Sequence, residues 1–204
     1  MMLYGHGGDI YSYADGKVLL DFSSNINPLG LPLEVEKVLQ TAGAACTVYP
    51  DPYCRAVSEK IGEYENVPSE FILCGNGAAD LIYRIAYGLK PKKALMPAPT
   101  FSEYAQAVEQ SGGAVYYYDL REENEFEPEF DFMQTLGSVR PDIVFLCNPN
   151  NPTGKTASKE LMAETAAWCQ SNNAVLVVDE CFLDFVRNGK SLSMIGETER
   201  NPNI

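Results

Sequence analysis

Four places in the 204-residue sequence put chemically useful side chains directly after a short apolar run. After Phe71 to Cys74 stands Gly75-Asn76-Gly77-Ala78-Ala79-Asp80. Small side chains there let the backbone approach an anion, and a helix starting at that point offers free N–H groups to a phosphate. After Ala94 to Met96 comes Pro97-Ala98-Pro99-Thr100-Phe101, which brings a flat aromatic ring to the same end of the runs. After Ile143 to Cys147 comes Asn148-Pro149-Asn150-Asn151-Pro152-Thr153-Gly154, a rigid turn with more amides than a plain turn requires. After Ala174 to Val178 comes Asp179-Glu180, and a carboxylate closing an apolar run must find a cationic partner or remain costly to bury.

Each feature also has a plain reading. The first is a strand-to-helix glycine turn, lacking the third glycine of a dinucleotide fingerprint because Asp80 stands in its place. Phe101 can be a core residue, and Asp179 a helix cap or half of a structural salt bridge. Together the four are more specific than any one. A phosphate cradle, a flat aromatic, a rigid amide and a carboxylate would grip pyridoxal phosphate: phosphate at the helix start, ring against Phe101, phenolic oxygen to Asn151, pyridine nitrogen to Asp179. A carboxylate on that nitrogen keeps it protonated and makes the ring an electron sink.

The elements that must position these residues follow from periodicity. Strands are predicted at Phe71 to Cys74, Ala94 to Met96, Ala114 to Leu120, Ile143 to Cys147 and Ala174 to Val178. Helices are predicted at Ala78 to Tyr87, Ser102 to Gln110 and Ser158 to Ser171, with Gly88 and Gly112 as terminators. Two earlier helices carry Val35, Val38, Leu39 and Ala42, then Val57, Ile61 and Tyr64, the second preceded by Asp51 as cap and Pro52 in its first turn. Ala174 to Val178 is apolar without alternation, as in a strand covered on both faces. Strands interleaved with helices imply a largely parallel sheet in an α/β fold, where ligands collect at the carboxyl ends of strands. Residues 1–32, rich in Gly, Asn and Pro, read as an irregular arm before a domain spanning 33–204.

Composition narrows the function classes. Fifteen basic against 28 acidic residues give a net charge of −13, which removes the counterion-release term that nucleic-acid binding depends on. Six carboxylates fall between Glu122 and Asp131, a run read as a solvated loop. No apolar stretch suits a membrane span and no secretory signal opens the chain, so the expectation is a cytoplasmic protein without membrane partners. The six cysteines contain no C-x-x-C pair and read as reduced, mostly buried thiols. A metal site is not expected. His6 is the only histidine, so a catalytic triad built elsewhere is excluded.

The Asn151-Pro152-Thr153-Gly154 turn and the later Asp179 resemble hallmarks of the fold-type I, aspartate-aminotransferase-like superfamily. Within it the chain is most similar to the histidinol-phosphate aminotransferase branch, and there to the threonine-phosphate decarboxylases of cobalamin synthesis. His6-Gly7-Gly8-Asp9-Ile10 and Asp21-Phe22-Ser23-Ser24-Asn25-Ile26-Asn27-Pro28-Leu29-Gly30 look like the HGGNI and DFSANINPLG segments of those decarboxylases. The resemblance covers essentially the whole chain. It implies a three-layer α/β/α large domain with a mostly parallel sheet, truncated at its C-terminus and without the small C-terminal domain. It places Gly77, Ala78 and Ala79 at the cofactor phosphate, Phe101 on the ring, and Asn151 and Asp179 on the ring's polar atoms. Tyr49 matches a tyrosine that reaches the neighbouring subunit's cofactor, which implies a homodimer. His6, Gly7, Asn25 and Asn151 fall where a small phosphorylated amino-acid substrate is held. Phe182 stands where the aminotransferases usually carry a tyrosine.

The largest departure is an absence. The superfamily's Schiff-base lysine sits in a Ser-x-Thr-Lys type motif after Asp179-Glu180, and none of Lys90, Lys92, Lys93, Lys155, Lys159 or Lys190 lies in such a context. The chain therefore reads as an N-terminal fragment, inactive alone, of a carboxy-lyase acting on threonine O-3-phosphate. A related aminotransferase and a non-catalytic phosphate-binding fragment are the alternatives.

Overall fold

The computed structural model describes residues 7–8 and 20–204. The chain divides into two compact units, Met1–Cys54 and Arg55–Ile204.

In the first unit, the turn from Asp21 is held locally: Asp21 accepts from the Ser23 and Ser24 hydroxyls, and Ser23 Oγ accepts from the Gly8 N–H at 2.8 Å. Gly30, with φ +77°, closes a turn on the Asn27 carbonyl. Helix α1 (Leu33–Thr41) follows Pro32, whose ring cannot continue a helix backwards but suits a helix entry. It runs into a 3₁₀ turn, Ala42–Thr47. Asp51 and Pro52 do not cap the next helix. Asp51 instead accepts the Tyr53 and Cys54 N–H groups in a tight turn with Cys54 at φ +49°, and helix α2 starts only at Arg55.

The second unit contains α2 (Arg55–Glu65), α3 (Gly77–Leu89), β1 (Lys93–Ala98), α4 (Ser102–Gln110), β2 (Ala114–Asp119), α5 (Phe132–Val139), β3 (Ile143–Cys147), α6 (Lys159–Ser171) and β4 (Val175–Asp179). The four strands form one parallel sheet in the order β2-β1-β3-β4. Period-2 alternation sorts their side chains onto two faces. Ala94, Met96, Ile143, Phe145 and Cys147 pack with Ile82 and Ala86 of α3 and Tyr104 and Val108 of α4. Leu95, Val144, Leu146 and Leu176 pack with Phe132 and Leu136 of α5 and Leu161 and Met162 of α6. This is a three-layer α/β/α arrangement. Each fully buried Leu or Phe in these layers contributes about 1.5–3 kcal/mol.

Several local expectations change. Phe71 to Cys74 is not a strand. Ser69–Phe71 is a 3₁₀ turn, Ile72 is extended, and the stretch to Cys74 has no strand partner among the described residues. Extended backbone becomes a strand only when its N–H and C=O groups find a ladder. Gly88 lies inside α3, which ends two residues later than the expected Tyr87, at Leu89, with Lys90 as the left-handed cap. Gly112, at φ +91°, does end α4. Pro97 lies within β1, pairing with Tyr118 of β2, while the β1–β3 ladder covers only Ala94 and Leu95. A residue without an N–H suits the place where one ladder has already stopped.

The acidic run is a loop with a 3₁₀ turn, Glu122–Asn124, as expected, but it is partly paired: Arg121 holds Glu129 and Asp131, and Lys155 holds Glu125 at 2.6 Å. At the surface such pairs contribute little stability. All six cysteines are free. Cys147 and Cys169 are buried, but Cys46 and Cys181 are exposed, contrary to the expectation of mostly buried thiols. No helix among the described residues is long and apolar enough to cross a membrane.

Candidate active site

All four predicted rims lie at the carboxyl ends of strands or at the start of a helix in the second unit. Phe101 sits between β1 and α4, immediately before the first helical residue, Ser102. The turn 148–154 follows β3, and Asp179 is the last residue of β4. Residues 175, 177 and 179 share one face of β4 by alternation, and Val175 and Val177 pack on the α3/α4 side. Asp179 is therefore aimed at the layer that carries Phe101 and Tyr104.

Asn150 joins two of the rims. It is buried, its Oδ1 accepts from the Thr100 hydroxyl at 2.7 Å, and its Nδ2 donates to the Pro99 carbonyl at 3.0 Å and to Thr153 Oγ1 at 3.1 Å. The loop before α4 is thereby clamped to the turn after β3. The Asn148 N–H in turn donates to the Asp179 carbonyl at 2.8 Å, tying that turn to the end of β4. Asn148 Oδ1 accepts from the Ala157 N–H, whereas its buried Nδ2 has no partner among the described residues. Replacing Asn150 with Ala should destabilise the protein by about 2–3 kcal/mol, because it leaves the Thr100 and Pro99 groups unpaired. A thermal midpoint within one degree of the parent by circular dichroism would show that the clamp carries no such energy.

At the start of α3, Asn76 occupies the cap position and makes no side-chain cap hydrogen bond. Gly77 adopts φ +82°, where a side chain is strained, and Ala78 and Ala79 form the half-buried first turn. Asp80 folds back to accept the Asn76 N–H at 2.9 Å and pairs with Arg84, and the backbone hydrogen bond is the main reason its carboxyl lies below its usual range. The negative charge nearest this helix start is thus compensated within the helix. The N–H groups of the first turn remain a site for an anion.

Asp179 takes no ion pair among the described residues. Its Oδ2 accepts from the Tyr104 hydroxyl at 2.6 Å and its Oδ1 from the Cys181 N–H at 3.0 Å. The cationic partner expected from the sequence is replaced by two neutral donors, so the carboxylate keeps lone pairs for a positively charged N–H. Phe101 is half-buried, with its ring edge-on to Tyr104 at 5.6 Å between centroids. Asn151 is half-buried in the turn. Phe182, just beyond Asp179, lies 6.2 Å from the Phe185 ring. Anion cradle, aromatic, amide and a carboxylate held by two neutral donors fit a phosphorylated, flat ligand bearing a ring cation.

The remaining predicted residues belong to the first unit. Gly7 sits where a Cβ would come within 1.8 Å of the Ser23 carbonyl oxygen, so no larger residue fits that backbone. Asn25 is exposed and Tyr49 almost completely so, at 99%. His6 lies outside the described residues. Sequence reasoning missed Tyr104, Asn148 and Asn150. The spacing three after Phe101 puts Tyr104 on the same face of the helix start, but it says nothing of what the hydroxyl meets.

The chain belongs to the aminotransferase class I and II family, which matches over residues 17–204. It is 36% identical over 204 residues to the threonine-phosphate decarboxylase of Salmonella typhimurium, covering 98% of this chain and 55% of that protein. It is 33% identical to the adenosylcobalamin biosynthesis bifunctional protein CobDQ of Leptospira interrogans, over 94% of this chain and 23% of that protein. Among solved structures, the histidinol-phosphate aminotransferase of Clostridium acetobutylicum superposes with a TM-score of 0.77 at 28% identity, covering 90% of this chain and 53% of the other. The chain spans about half the length of the curated decarboxylase it matches over nearly all of its own residues.

Proposed function

We propose that the protein carrying this chain is a pyridoxal-phosphate-dependent decarboxylase that converts L-threonine O-3-phosphate to aminopropanol phosphate for cobalamin biosynthesis. The observation that carries the reading is Asp179: a carboxylate at the end of β4, without an ion pair among the described residues, aimed by Tyr104 beside Phe101. The 36% identity to a threonine-phosphate decarboxylase over nearly the whole chain supports the choice of reaction.

In this reading the first-turn N–H groups of α3, from Gly77 to Ala79, bind the cofactor phosphate, and the helix dipole favours that charge. Phe101 packs on the ring, Asn151 donates its amide to the phenolic oxygen, and Asp179 holds a proton on the pyridine nitrogen. When bound, the cofactor supplies the electron sink that takes up the electron pair left at Cα as CO₂ departs. His6, Gly7, Asn25 and Asn151 are assigned to the substrate, and Tyr49 to the cofactor of a second copy in a homodimer. The lysine that carries the cofactor is not among this chain's residues in the expected motif.

A second reading, histidinol-phosphate aminotransferase, is favoured by the structural superposition on that enzyme. The two differ in which bond at Cα is broken, and product analysis separates them. The holoenzyme should release CO₂ from threonine phosphate and keep its cofactor in the aldehyde form. Conversion of the cofactor to pyridoxamine phosphate by histidinol phosphate, with no CO₂ from threonine phosphate, would establish the aminotransferase instead.

A further inference from the structure

Tyr104 is one of the largest fully buried side chains of the second unit. On one side its ring stacks on Phe145 of β3, with centroids 5.1 Å apart and planes 16° apart. On another, it meets Phe101 edge-on at 5.6 Å and 81°. Its hydroxyl lies 2.6 Å from Asp179 Oδ2. A single side chain therefore touches both the aromatic ring and the carboxylate assigned above to the cofactor ring, although it is 75 residues from Asp179 in sequence.

We propose that Tyr104 is a positioning residue for the reaction: through its hydroxyl it fixes the Asp179 carboxylate, and through its ring edge it fixes Phe101, so that both meet the cofactor ring already oriented. The inference rests on the role given to Asp179 and Phe101 under the proposed function.

Three facts support it. First, the phenol is held as a donor. Burial above all, then the neighbouring Cys147 thiol and the Asp179 carboxylate, push its pKa far above the ordinary tyrosine value, so its proton stays in place to be donated. Secondly, the carboxylate is pinned at both ends, since the Cys181 N–H takes the other oxygen at 3.0 Å. A carboxylate held by one donor on each oxygen has its plane set before the ligand arrives and loses little freedom on binding it. Thirdly, the anchor itself is rigid. Tyr104 leaves a helix that starts one residue after Phe101, and its ring lies on Phe145, whose strand is buried along its whole length.

The test is Tyr104→Phe in the holoenzyme, alone and combined with Asp179→Asn. The single variant keeps the ring packing and removes only the donor. It should lower kcat roughly 10- to 100-fold with KM for threonine phosphate little changed, the range expected for one hydrogen bond to a charged group. It should also weaken retention of pyridoxal phosphate in equilibrium dialysis about 3- to 10-fold, with circular dichroism unchanged. In the Asp179→Asn background the same substitution should cost less than about twofold in either measurement, because the negative charge it positions is already gone. Tyr104→His, which keeps an aromatic ring and an N–H donor, should retain more turnover than Tyr104→Phe. Full turnover and retention in Tyr104→Phe, beside a loss in Asp179→Asn, would overturn this inference and leave the proposed function standing. A loss that multiplies fully with that of Asp179→Asn, or equal losses in Tyr104→Phe and Tyr104→His, would make the role structural. Unchanged behaviour in Asp179→Asn as well would overturn both readings.

Discussion

Asp179→Asn should cut turnover of the holoenzyme by about 2.7 to 4 kcal/mol of activation free energy, roughly 100- to 1,000-fold, taking the loss of one preorganised electrostatic partner as the guide. The substitution is nearly isosteric. Asn keeps the shape of the side chain and one acceptor oxygen, where Asp179 offers two to the Tyr104 hydroxyl and the Cys181 N–H, so the packing at the end of β4 should persist. What it cannot do is balance a positive charge on the ring nitrogen, and that balance matters most as electrons move into the ring. Retention of the cofactor should fall far less, because the phosphate cradle and the ring contact are untouched. The check is kcat beside equilibrium dialysis of pyridoxal phosphate. Unchanged turnover would return Asp179 to a structural role as the acceptor for Tyr104 and the Cys181 N–H.

Ala79→Glu should lower the affinity for pyridoxal phosphate at least about 100-fold without destabilising the fold. A carboxylate in the first turn of α3 would itself be drawn to the N–H groups there, and it would face the incoming phosphate with like charge. At about 4 Å and an effective dielectric constant near 20, that repulsion is about 4 kcal/mol per unit charge. Asp80, the acid already in that turn, escapes this conflict because it turns back to the Asn76 N–H and Arg84. The same new carboxylate is favourable to the helix itself, since acids at a helix N-terminus interact well with its dipole. Affinity and stability should therefore move in different directions, which a generally damaging substitution would not produce. Thermal unfolding without cofactor and fluorescence titration with it give the two numbers. An affinity within threefold of the parent would move the phosphate away from α3.

The parts of this architecture that were legible in the sequence are those fixed by local rules. Ile143–Cys147 is buried at every position, so its five apolar residues needed no alternation to be read as a central strand. Ser102–Gln110 ends where Ser111 and Gly113 turn back onto Val108 and Gly112 onto Glu109, a break the glycines announce. The parts that were not legible depend on distant partners. Ile72 to Cys74 has strand composition but no ladder within the described residues. Helix α5 buries only Phe132 and Leu136, one apolar pair four residues apart, which is too short a stripe to show a period. Asp51-Pro52 has the composition of a helix start, but its acceptor serves the turn before the helix.

The candidate site divides in the same way. Its ligand-facing residues could be found because they follow apolar runs, and a strand end has a definite place in a parallel sheet. Its supporting residues could not. Asn150 bridges two turns 50 residues apart in sequence, and Tyr104 meets Asp179 across 75. Nothing in the periodicity of α4 distinguishes Tyr104 from another apolar-face residue. Only the packed sheet shows that its hydroxyl ends at a carboxylate, in place of the cation that burial arguments alone would have demanded.

The central claim is that Asp179 holds a protonated pyridine nitrogen, and the most direct measurement is the ¹⁵N resonance of that atom in holoenzyme reconstituted with labelled pyridoxal phosphate at neutral pH. The parent protein should show the resonance of a protonated pyridinium, and Asp179→Asn should show that of the neutral ring, with the cofactor still bound in both. A neutral nitrogen in the parent, or a protonated one unaffected by the substitution, would contradict the assignment of this carboxylate and the chemistry built on it.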